Sequence, residues 1–229
     1  MTTESVAALL LIAVPIAFNA TFTLLARSFS YPDILRQPAG TILTRFAAGG
    51  TQLVVQWWAF ALTALMMVPL VVVMGSVFAT GPLRTLAITT GLLSALVQTL
   101  GLMRWPFVVP LLARRYLDPR ATQSQREIVE LLFEALHRYL GIGVGEHLGY
   151  LLTGAWTILT GVLVIGSPVL PAWLGWLALP IGVSLLIGAL EFVGANESKG
   201  WALAERLTPI AYIAWSLWLV ACGVALLVT

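Results

Sequence analysis

Six apolar runs of about 20 residues, each able to cross a ~30 Å hydrocarbon core as a helix, decide what this chain can become. They cover residues 6–27, 53–77, 86–112, 140–166, 170–193 and 207–228. The pattern predicts an all-α integral membrane fold, one transmembrane domain over residues 1–229. Only 10% of the residues are charged and the mean hydropathy is +0.95, whereas soluble domains carry roughly 25% charged residues. A lipid bilayer is therefore the expected surroundings, and a cell membrane the expected location. The net charge of +2 does not point to nucleic acid, because the basic residues gather at span ends, where the positive-inside tendency accounts for them. The single Cys222 has no intramolecular disulfide partner.

Punctuation between the runs sharpens the prediction. Met1-Thr2-Thr3-Glu4 lacks the basic region of a signal peptide, so the first run reads as a retained helix. Residues 28–50 are broken by Pro32 and Pro38, and their later part, with Ile42, Leu43 and Phe46, is expected to dip into lipid as an interfacial helix. Gln56, Trp57 and Trp58 at the entry of the second span read as an interfacial belt. Pro106 and Pro110 predict a kink late in the third. Residues 113–124 read as a loop. From 125 to 139 the period changes: Glu127, Glu130, Glu134, His137 and Arg138 share one helical face, and Val129, Leu132, Phe133, Leu136 and Tyr139 the other. This predicts an amphipathic surface helix between spans three and four.

Basic residues crowd the first, third and fifth connections, against Arg84 alone on the second and none on the fourth. That places the odd connections on one face, the cytoplasm.

Ionisable groups inside apolar runs are costly and mark functional candidates. Arg104, Glu146, His147 and Glu191, with Gln56, Asn19, Tyr150 and Tyr212, all fall in the halves of their spans nearest the odd connections. The expectation is a half-membrane polar cavity in which Arg104 pairs with Glu146 or Glu191. Gly141, Gly145 and Gly149 lie four apart and would let another backbone approach closely beside it.

Three short motifs, Tyr31-Pro32-Asp33-Ile34-Leu35, Gly145-Glu146-His147-Leu148-Gly149 and Pro171-Ala172-Trp173-Leu174-Gly175-Trp176, together with the six-span layout, resemble bacterial membrane proteins grouped as domain of unknown function 4386. The resemblance covers nearly the whole chain. It implies a six-span fold in a bacterial inner membrane and assigns no residue a role.

Several chemistries compete for these residues. Glu134 and His137 form a Glu-x-x-His, the spacing of di-iron carboxylate bundles, and with His147 they are the candidate metal ligands of an intramembrane enzyme. Either histidine could serve as a haem ligand. No nucleophile triad, phosphate loop or zinc-protease helix occurs. The residues are best matched by a cavity for a small amphiphilic or anionic ligand, lined by Arg104, Glu146, His147, Glu191, Gln56, Trp57 and Tyr150. Its competitors are the metal enzyme, with cofactor unspecified, and a structural subunit that packs against a membrane partner or a second copy.

Overall fold

A computed structural model describes residues 2–228. Helices dominate, and no strand occurs among the described residues. The first helix, α1 (Thr3–Phe29), starts at Thr2, whose side chain accepts the Ser5 N–H, and ends where Ser30 turns left-handed. Helix α2 (Ala39–Leu65) and α3 (Met67–Ser76) follow, then α4 (Pro82–Phe107) and α5 (Val109–Tyr116). Helix α6 (Gln123–Leu136) continues into a π-helical stretch, His137–Leu148, and then α7 (Gly149–Ile165). Helices α8 (Ala172–Gly188) and α9 (Ala202–Val228) complete the chain.

Among the described residues, five helical stretches are long and apolar enough to cross a membrane. The sixth, α8, has 17 residues, about 25 Å at the α-helical rise, near the lower limit for spanning. This is a multi-pass membrane fold. These helices close a ring: α1 packs on α2, α2 on α4, α4 on α7, α7 on α8, α8 on α9 and α9 back on α1. Small residues make the tightest seam, because a Cβ on Gly161 would lie 2.9 Å from Gly175 O and one on Gly154 2.7 Å from Gly182 O. With no water to expel between helices, such close backbone packing supplies much of the association.

The expected breaks are present, with corrections to what lies between them. Helix α2 bends at Gly50, whose φ of 54° disfavours a side chain. The segment before that bend does not dip into lipid. Ile42, Leu43 and Phe46 are buried against Phe29, Trp57 and Trp105 in an aromatic cluster. Those neighbours remove them from the lipid surface. Trp57 likewise is fully buried and only Trp58 is exposed, so the belt expected at the second span's entry shrinks to one residue. The kink in the third span falls at Val108, between Pro106 and Pro110, and the loop expected from residue 113 starts only after α5 ends at Tyr116.

The amphipathic helix begins with a reciprocal cap in which Thr122 and Gln125 each bond the other's backbone N–H, satisfying two donors at its start. Its apolar face divides. Phe133, Val129 and Leu136 pack into the aromatic cluster, whereas Leu132 and Tyr139 remain exposed. Residues 137–139, expected to end this helix, belong to the π stretch.

Candidate functional site

The Gly-rich run before α7 gives the site its geometry. A π-helix is usually a single turn, and its wider bond pattern often coincides with function. Here it extends over 12 residues and lays a glycine seam on α4. A Cβ on Gly101 would come 2.6 Å from Gly145 Cα, and one on Gly149 would lie 2.8 Å from Gln98 Cγ. At Gly141 the space is taken by Arg104, whose Nη2 would be 2.6 Å from an added Cβ. The predicted close approach is thus real, and its third step makes room for a guanidinium.

Arg104 is 6% exposed. Its Nη1 donates to Gly101 O, its Nη2 lies 3.2 Å from His137 Nδ1, and the guanidinium sits 5.3 Å from the Trp105 ring centroid. Because arginine only donates, His137 Nδ1 accepts and its proton resides on Nε2. The imidazole stacks on Phe133 at 5.8 Å and 4°. Arg104 Nε is buried without a partner.

The expected ion pairs of Arg104 are absent among the described residues. Glu191 pairs instead with Arg36 at 3.2 Å, and Arg36 also reaches Glu205 at 3.0 Å. This bridge ties the first connection to the end of α8 and the start of α9. Arg138 binds both the carboxylate and the carbonyl of Glu197. Glu146 feels Arg104, Glu191 and Arg36 only through space. Its carboxylate has no hydrogen bond or ion pair among the described residues.

Three adjoining cavities meet at that carboxylate. An inner chamber of about 210 Å³ is walled by Phe18, Phe22, Phe60, Trp105 and Tyr212, with Arg104 and Gln98 on its α4 side. An outer vestibule of about 840 Å³ is bounded by residues of the first, third and fifth connections, including Arg36, His137 and Lys199. Tyr31, Pro32, Glu146, Tyr150, Thr208 and Pro209 line both, so they form the neck between them. A side cavity of about 240 Å³ also touches Glu146 and Tyr150.

Residues 6–223 match the family model described as Domain of unknown function (DUF4386). The chain belongs to that family. No curated protein and no solved structure matches it.

Within this DUF4386 fold, the expected site residues separate into groups. Arg104, Glu146 and Tyr150 converge on the chamber. Glu191 lines the vestibule and the side cavity. His147 reaches only the side cavity, and its Nδ1 lies 2.6 Å from Ala189 O; as neighbours on a helix, Glu146 and His147 project apart. Gln56 and Trp57 line none of the three. Gln56 Oε1 accepts from Ser28, and Trp57 stacks on Trp105 at 4.3 Å and 8°. The metal candidates do not gather either: Glu134 and His137 sit at the vestibule, His147 lies elsewhere, and no group of three metal-ligating side chains converges among the described residues. The neck residues Tyr31, Pro32, Thr208 and Pro209 were not singled out from sequence, although the Tyr31-Pro32 motif carried part of the family resemblance.

Proposed function

We propose that this protein binds, and passes between membrane and water, a small amphiphilic molecule, as a multi-pass protein of a bacterial inner membrane. The observation that carries the reading is the free carboxylate of Glu146 at the neck between a charged vestibule and an aromatic chamber. Glu146 is half-buried, and a polar group partly removed from water without a protein partner is disfavoured, a cost that a ligand supplying the partner recovers. The chamber accommodates the apolar part, as ligand sites usually do. The vestibule accommodates the polar part, with Arg36 and Glu191 at its wall. Tyr150 and Tyr31 close the neck, and Arg104 lines the chamber.

Native mass spectrometry on protein extracted with its own lipids tests this. The wild type is expected to carry a small molecule that Leu102→Trp, which fills the chamber, loses while keeping its elution volume. A wild type free of any such adduct, or a variant that retains it undiminished, overturns the reading.

A further inference from the structure

We infer that the polar end of the ligand is cationic, an ammonium group held by Glu146 among aromatic rings; this rests on the amphiphile reading above. The first ground is the carboxylate itself. An ionised carboxylate only accepts hydrogen bonds, and no donor among the described residues is directed at Glu146, so the missing partner is a donor or a positive charge. The second ground is the wall around it. Tyr31 lies 6.0 Å from Phe60 and 5.3 Å from Phe22, and Tyr150 lies 5.3 Å from Tyr212. Rings grouped beside an acidic group attract cations through their electron-rich faces, and cages of this kind recognise quaternary ammonium.

The third ground is the approach. The vestibule is lined by six carboxylates, of Asp33, Glu134, Glu146, Glu191, Glu197 and Glu205, against the three cationic side chains of Arg36, Arg138 and Lys199. A cleft of one prevailing sign concentrates the opposite charge at its mouth. An anion would meet that field unfavourably. It would also find both terminal nitrogens of Arg104 already donating, to Gly101 and His137, with the guanidinium over Trp105 and only Nε lacking any partner.

Two sources can supply such an ammonium: a free organic cation or the head group of an amine-bearing phospholipid. The test uses full-length protein in nanodiscs of phosphatidylglycerol alone, titrated calorimetrically with butyltrimethylammonium, 1-pentanol and pentanoate. The wild type is expected to bind the cation most tightly. Glu146→Gln is expected to weaken it about tenfold or more, the scale of one charge-assisted contact, and Glu146→Asp to retain part of the affinity. Repeating the titration in nanodiscs containing phosphatidylethanolamine separates the sources, because weaker apparent affinity there assigns the site to lipid head groups and unchanged affinity to free cations. Pentanol or pentanoate binding as tightly as the cation, or cation affinity unchanged in Glu146→Gln, overturns the cationic assignment and leaves the cavity reading standing. Failure of all three probes to bind folded wild type overturns both.

Discussion

The two halves of the helical ring treat buried polar groups in opposite ways. In the half away from the vestibule, buried hydroxyl, amide and indole groups on facing helices bond to one another. Ser94 and Thr153 share a 2.7 Å hydrogen bond that Gln98 joins from 3.0 Å. Trp215 Nε1 donates to Thr157 at 3.0 Å, and Trp218 Nε1 to Leu174 O at 2.9 Å. In the vestibule half, the Glu146 carboxylate accepts no hydrogen bond from the described residues, and Arg104 Nε is buried without a partner. In a low-dielectric setting a satisfied polar pair fixes how helices pack, whereas an unsatisfied one is costly and is retained for a use. The closed half therefore reads as the scaffold and the open half as the working part.

Substitutions should separate the halves by what they damage. The largest effect is expected in the closed half from Trp156→Ala, which empties a site 2% exposed between Trp215 and Trp218; it should cost about 3–5 kcal/mol, read as a lowered unfolding midpoint in detergent. Arg104→Met should come next. It removes the side-chain donor to the Gly101 carbonyl and strands the His137 ring nitrogen, and should cost about 1–3 kcal/mol in the same assay, with His137 becoming open to alkylation. Thr157→Val leaves the Trp215 indole N–H unpaired without changing volume and should cost about 1–2 kcal/mol. A loss no larger than experimental error would show that the closed half does not depend on its hydrogen bonds. The smallest effect on stability should come from Glu146→Gln, within about 0.5 kcal/mol of wild type or more stable, since working sites commonly trade stability for activity.

Much of this division was legible in the sequence, and the illegible part has a common cause. Hydropathy runs located the spans, the paired prolines located the break at Val108, and the four-residue glycine spacing anticipated the seam on α4. Glu146 and Arg104 stood out because charge is rare in those runs. What remained hidden was direction around each helix. The bridge from Arg36 to Glu191 spans 155 positions, and no local pattern says that the first connection folds over the end of α8. Trp57 reads as an interfacial residue next to Trp58, yet a turn of about 100° per residue puts one against Trp105 and leaves the other outside. The π stretch was hidden too, because a glycine-rich run has no side-chain periodicity that distinguishes it from an α-helix.

The central claim is that Glu146 is left unpaired for a ligand and contributes nothing to holding the helices together. The most direct measurement is the unfolding midpoint of wild type and Glu146→Gln, each with and without saturating butyltrimethylammonium. Ligand that binds only the folded state raises the midpoint. The account predicts that the two proteins unfold together without the cation and that only the wild type is shifted upward by it. A Glu146→Gln protein that unfolds well below wild type without the cation, and is raised as far as wild type by it, would contradict the account and make the carboxylate part of the scaffold.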